Sequence, residues 1–198
     1  MRHKVGKELE MSIVSRLVLV SSSLALLSVA ACSDPVLPPS EGAFAFPFQQ
    51  PSGCSIQNHN PSFGEVSYDK VSNFEIDGVN GAEIYCQVSG EGPYYVDAFV
   101  KGKSRTITIE VKALSESNEK TSPAEGSVTY VSVETTKKYS SPSEEKCLFY
   151  LSHAKQQVNK GALFITFECP SLDNLETNPH SECASGVGWI ALQNCDRE

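Results

Sequence analysis

Little in this chain lends itself to a catalytic centre. Its 198 residues include 4 histidines and 1 tryptophan. No Gly-x-Ser-x-Gly elbow and no Gly-x-x-x-x-Gly-Lys-Ser/Thr phosphate loop occurs, so two common enzyme classes leave no local trace. There is no Cys-x-x-Cys and no histidine at ligand spacing, which argues against zinc. No Asp-x-Asp-x-Asp-Gly loop offers itself to calcium. Basic residues are scarce, 16 against 24 acidic for a net charge of −8. Phosphate backbones repel such a surface, and nucleic acid is not an expected partner. Gly186-Val187-Gly188-Trp189-Ile190-Ala191 has the spacing of a dinucleotide fingerprint. It ends seven residues before the C-terminus, without room for the helix and ribose-binding acid that give the pattern meaning. Its glycines belong to a strand start or a bulge.

What the chain does have begins at its N-terminus. Arg16 precedes an uncharged run from Leu17 to Ala31, rich in Leu, Val, Ala and Ser. That run is shorter than the ~20 apolar residues of a spanning helix. A basic start, a short apolar centre and small residues at its end make a secretory signal. Glu8 and Glu10 are unusual in such a leader, so Met11 is an alternative start. Val29-Ala30-Ala31-Cys32 resembles the lipobox of bacterial lipoproteins. The resemblance implies a diacylglyceryl thioether on Cys32, cleavage before it, and acylation (as by palmitate) of the new amine. It further implies that Ser33, where Asp would resemble an inner-membrane retention signal, directs the protein to the outer membrane of a Gram-negative cell. Several acyl chains are what stable anchoring needs, at about 0.8 kcal/mol per buried methylene.

Removing residues 1–31 takes away Arg2, Lys4, Lys7 and Arg16 with Glu8 and Glu10. The 167 residues left keep 12 basic and 22 acidic side chains, a net charge of about −10. That length suffices for one domain with a sizeable core. Six cysteines remain once Cys32 is assigned to lipid: Cys54, Cys86, Cys147, Cys169, Cys183 and Cys195. An even number in an exported chain reads as three disulfides, with fifteen possible pairings. The expectation is that chain neighbours pair, Cys54–Cys86, Cys147–Cys169 and Cys183–Cys195, each stabilising by roughly 3 kcal/mol.

Residues 32–53 are Pro-rich and read as a lipidated tether. Phe44, Phe46 and Phe48 alternate within it, so part of it is also a candidate edge strand. From Cys54 onward the apolar period is two. Ile107, Ile109 and Val111 alternate with polar residues, and Tyr94–Val100 supplies a partner strand. A turn at Gly102-Lys103 sets Ala98 opposite Ile107, Val96 opposite Ile109 and Tyr94 opposite Val111. Further strands are predicted at Phe74–Ile76, Ala82–Val88, Gly126–Thr135, Lys146–Leu151, Ala162–Cys169 and Val187–Gln193. Gly- and Asn-containing turns separate them. Ser115–Glu125 is predicted to be a mobile loop and Ser171–Thr177 a helical turn. The fold class is mainly β: one disulfide-stabilised antiparallel β-sandwich or flattened barrel over residues 54–198.

No residue earns a catalytic or metal-binding role from the sequence, and no cofactor is expected. His59, His153 and His180 lie in loop-like surroundings and are expected to be exposed and idle. Tyr85, Tyr94, Tyr95, Tyr130, Tyr150 and Trp189 are candidates for an aromatic platform. The register places Tyr94 in the core and Tyr95 outside, opposite Glu110. The expected function is a non-enzymatic interaction or structural role at the envelope, with an envelope protein as partner. A carbohydrate- or small-ligand-binding lipoprotein is the alternative, and a secreted hydrolase without local motif the third reading.

Overall fold

The structure is a computed structural model that describes residues 37–49, Cys54, Ile56, 59–174, Glu176 and 181–196. Cys32, the leader and His180 lie outside the described residues. Among the described residues there is no α-helix, and none therefore long and apolar enough to cross a membrane.

Among the described residues, seventeen strands follow one another. The first six are β1 (Glu41–Ala45), β2 (Phe48–Gln49), β3 (Ser62–Phe63), β4 (Glu65–Ser67), β5 (Lys70–Asn73) and β6 (Glu75–Ile76). A meander of four long strands comes next: β7 (Glu83–Ser89), β8 (Tyr94–Lys101), β9 (Arg105–Leu114) and β10 (Ala124–Ser132). Then come β11 (Lys137–Ser140), β12 (Cys147–Tyr150), β13 (Gln157–Asn159) and β14 (Ala162–Glu168). The chain closes with β15 (Leu172–Asn174), β16 (Ser181–Ser185) and β17 (Gly188–Gln193).

The meander is one layer of an antiparallel sandwich. Beyond β9, the start of β10 pairs with β12 and its end with β11. From β12 the sheet continues through β14, β17 and β1, with β3 and β6 beyond, and this is the second layer. A branch runs from β11 through β15 and β16 to β2. Every second residue of each layer turns inward, as the pleat requires. Val96, Ala98 and Val100 from β8 and Ile107, Ile109 and Val111 from β9 share one core with Phe44, Ile165, Phe167 and Ile190. The outer face of the second layer is covered too. Thr166 is fully buried there among Ser152, Gln156 and the carbonyl of Tyr68, all hydrogen-bonded. A buried polar cluster of this kind is tolerable because each group has a partner.

The hairpin prediction holds for its faces and shifts in its register. Val100 lies opposite Ile107, Ala98 opposite Ile109 and Val96 opposite Val111, while Tyr94 meets Leu114 after a bulge. Gly102 N–H donates to the Arg105 carbonyl at 2.8 Å, which makes Lys103-Ser104 the two-residue turn. Moving a turn by one residue moves the register by two. Because the side-chain period is two, every residue keeps its face. Gly102 serves packing instead: a Cβ there would sit 3.0 Å from the Phe63 ring. Gly188, of the fingerprint-like hexapeptide, opens β17, where a Cβ would lie 2.6 Å from that of Phe46.

Several expectations are corrected. The compact unit that holds the strands begins at Pro38, not Cys54. β1 is an interior strand held by β17 on one side and by β3 and β6 on the other, and Phe44, Phe46 and Phe48 are buried. The apolar alternation outweighs the prolines; Pro38, Pro39 and Pro47 fall outside the strands rather than in them. Only one neighbour pairing survives, Cys147–Cys169; the others are Cys54–Cys183 and Cys86–Cys195. The β16–β2 pairing brings Cys183 to the segment after β2. Val88 N–H donates to the Asp196 carbonyl and Asp196 N–H to that of Cys86, which lays the C-terminal segment along β7.

Of Ser171–Thr177, residues 172–174 form β15, between β11 and β16, rather than a helical turn. Ser115–Glu125 is a hydrogen-bonded turn leading into β10. Asn118 accepts from Ser115 N–H, donates to the Ser122 carbonyl, and receives Leu151 N–H. Lys120 pairs with Glu168 at 2.8 Å, and the Tyr150 hydroxyl donates to the same carboxylate. Burial works against the charged form of Glu168, but these two donors more than offset it and hold its pKa below the ordinary value. The Tyr150 hydroxyl is pushed the other way, by burial and then by Glu168.

Candidate functional site

Two places on the domain combine accessible side chains of different chemistry. The first is the outer face of the meander. Cross-strand pairing lines up Tyr85, Phe99 and Thr108, and beside them Gln87, Asp97 and Glu110, with Tyr95 opposite Ser89. Tyr85 is 47% exposed, and Tyr95 and Phe99 are partly so. The Tyr95 hydroxyl titrates above its ordinary value, through desolvation first and then the charges of Asp97 and Glu110 and the nearby Tyr85. Tyr95 therefore stands near both carboxylates, although it is Asp97, not Tyr95, that lies directly opposite Glu110.

The other aromatic candidates scatter. Tyr130 and Tyr150 are buried in the domain, Tyr94 packs on the edge of the core, and Trp189 belongs to the second layer. Only Tyr85 and Tyr95 of the six expected residues share an outer face, and Phe99 joins them.

The second place lies at the tip of the β8–β9 hairpin. A cleft of about 470 Å3 opens there between the hairpin turn, β3, β6 and the turn before β7. Arg105 forms part of its wall. Arg105 Nη2 pairs with Glu134 at 3.0 Å, and Nη1 donates to the Ser62 carbonyl at 2.8 Å. Behind it stands His59, whose Nε2 is 2.8 Å from the Tyr130 hydroxyl and whose Nδ1 is 3.7 Å from Glu134. The ring also lies against Phe48.

His59 was expected to be exposed and idle; its side chain is only 13% exposed and it joins two strands' side chains. This group escaped the sequence because its members are far apart in the chain and no spacing joins them. The only local signal is the inward position of Tyr130 on β10. His153 is closer to expectation, accepting Lys155 N–H and packing edge-on against Tyr68. Neither described histidine is hydrogen-bonded to a serine side chain. Among the described residues no group of three or more His, Cys, Asp or Glu side chains is placed to hold a metal.

Burial lowers the His59 pKa; Glu134 raises it and Arg105 lowers it, and the balance lies below the ordinary value. In the unfolded chain the ring titrates near ~6.5. A depressed folded pKa means that the unfolded state binds the proton more readily. The stability due to the neutral ring is complete above ~6.5 and is lost as pH falls from there through the lower folded value. The urea midpoint is therefore expected to drop between about pH 7.5 and about pH 5.5, and to drop less in His59→Gln. Equal drops in the two proteins would remove His59 from the explanation.

A scan against protein-family models, a search of curated proteins and a search of solved structures each returned no match.

Proposed function

We propose that the mature chain is a non-enzymatic lipoprotein of the cell envelope, held by lipid on Cys32 at the outer membrane of a Gram-negative cell. Its domain acts by binding an envelope partner. The observation that carries this reading is three disulfides in a domain whose leader ends in Val29-Ala30-Ala31-Cys32. Disulfides persist in oxidising compartments outside the cytoplasm, and the lipobox resemblance supplies the route there. The outer face with Tyr85, Tyr95 and Phe99 is the contact surface in this reading, since exposed aromatics concentrate at interfaces.

A second reading, glycan binding by the same face, is favoured by the closeness of Tyr95 to Asp97 and Glu110. Rings stack on sugars while carboxylates accept hydroxyl hydrogen bonds. Cross-linking of full-length protein in living cells, followed by mass spectrometry, separates the two. A reproducible protein partner that disappears in a Tyr85→Ala, Tyr95→Ala variant supports the first. No partner under conditions that capture a control lipoprotein, with glycan-array binding lost in Tyr95→Ala, supports the second. Neither result would leave the outer face without a role.

A further inference from the structure

The hairpin-tip cleft carries an inference independent of the aromatic face. Its volume of about 470 Å3 is within the ~300–1,000 Å3 of small-molecule sites. Phe63, Val79 and Ala82 give it an apolar wall, and Lys103, Arg105 and Glu75 give it charges. Arg105 is fixed before any ligand arrives. Nε donates to Ser104 Oγ at 3.3 Å, Nη1 to the Ser62 carbonyl and Nη2 to Glu134. A guanidinium has five N–H donors, so two remain. A pinned, planar donor of this kind loses little freedom on binding a carboxylate or phosphate.

Lys103 occupies the hairpin turn, its stem beside Gly81. Neither Lys103 nor Glu75 has an ion-pair partner among the described residues. The cleft thus presents unpaired charges of both signs. With Glu134 counted against Arg105, the two cations and two carboxylates cancel. A purely anionic ligand would gain nothing from that balance and would approach a mature chain of net charge about −10 against repulsion. A ligand with separated charges and no net charge meets neither obstacle.

We infer that this cleft binds a small zwitterion, its carboxylate or phosphate at Lys103 and Arg105, its ammonium at Glu75, and its apolar part against Phe63, Val79 and Ala82. Free amino acids and aminoethyl phosphate headgroups share this chemistry. The test uses the full chain in detergent micelles and follows amide chemical shifts of Phe63, Gly64, Val79, Ala82 and Lys103. Leucine and glycerophosphoethanolamine, a phosphodiester without net charge, are the zwitterionic probes; leucinamide lacks the carboxylate and isocaproate lacks the ammonium.

Leucine or glycerophosphoethanolamine is expected to shift these amides saturably. For leucine, leucinamide and isocaproate should bind about tenfold or more weakly, the loss of one charge-assisted hydrogen bond. Lys103→Gln and Glu75→Gln should each weaken the bound zwitterion to a similar degree with little change in the melting temperature, since Lys103 is exposed and Glu75 partly so, with no ion-pair partner for either among the described residues. Binding of glycerophosphoethanolamine alone identifies a headgroup as the source; binding of leucine identifies a free amino acid. Failure of both zwitterions to move these amides, or binding indifferent to the two variants, would overturn the inference.

Discussion

Replacing Cys86 and Cys195 by serine is expected to lower the stability of the domain by about 4–5 kcal/mol and its melting temperature by roughly 10–20 °C. The bridge joins residues 109 apart, and closing so long a loop removes much of the unfolded chain's entropy. It also ties the segment after β17 to β7, where the Val88 and Asp196 hydrogen bonds continue the contact. The Cys147–Cys169 bridge spans 22 residues between adjacent strands β12 and β14. Its removal should cost less, about 3 kcal/mol. Thermal melts of the two double-serine variants give the comparison. A loss below ~1 kcal/mol on removing Cys86–Cys195 would mean that the backbone ladder closes the fold unaided.

Phe46→Ala is expected to cost about 3–5 kcal/mol, measured by urea unfolding of the full chain. The ring is 2% exposed and meets Phe48, Tyr130 and Phe167 at centroid distances of 5.2–5.5 Å. Truncation leaves a cavity between layers, because partners on β10 and β14 cannot both collapse into it. The same substitution in a surface tether would stay within ~0.5 kcal/mol. The variant thus decides whether residues 38–49 belong to the domain or merely lead to it.

Residues 38–49 also show where sequence reading succeeds and where it stops. Alternation of Phe44, Phe46 and Phe48 is a strand signal, and the structure honours it. Pro47 mimics a spacer residue only because composition does not say that it falls between β1 and β2. The long meander is legible for a related reason: β8 and β9 alternate cleanly, so even a displaced turn leaves each face correct. Short strands such as β11, β13 and β15 carry three or four residues each, too few to establish a period. The disulfide pairing fails because sequence proximity measures loop length, while pairing follows sheet order. Cys54 meets Cys183 only after β2 has found β16.

The candidate sites divide in the same way. Tyr85 and Tyr95 on one outer face follow from period two within a hairpin. The His59–Tyr130–Glu134–Arg105 group and the hairpin-tip cleft depend on contacts between segments tens of residues apart. Nothing in their local sequence marks them. Arg105 in particular reads as a polar residue at a strand start, and its role appears only when β3 supplies a carbonyl and the turn after β10 a carboxylate.

Intact-mass analysis of the protein extracted from membranes tests the lipid-anchored envelope assignment most directly. The expected species begins at Cys32, lacks residues 1–31, and carries the mass of a diacylglyceryl group and of one acyl chain on the new amine, with three disulfides intact. In Cys32→Ala that species should vanish and the chain should leave the membrane fraction on washing. A mature N-terminus elsewhere, an unlipidated Cys32, or a Cys32→Ala protein as firmly membrane-bound as before would contradict it.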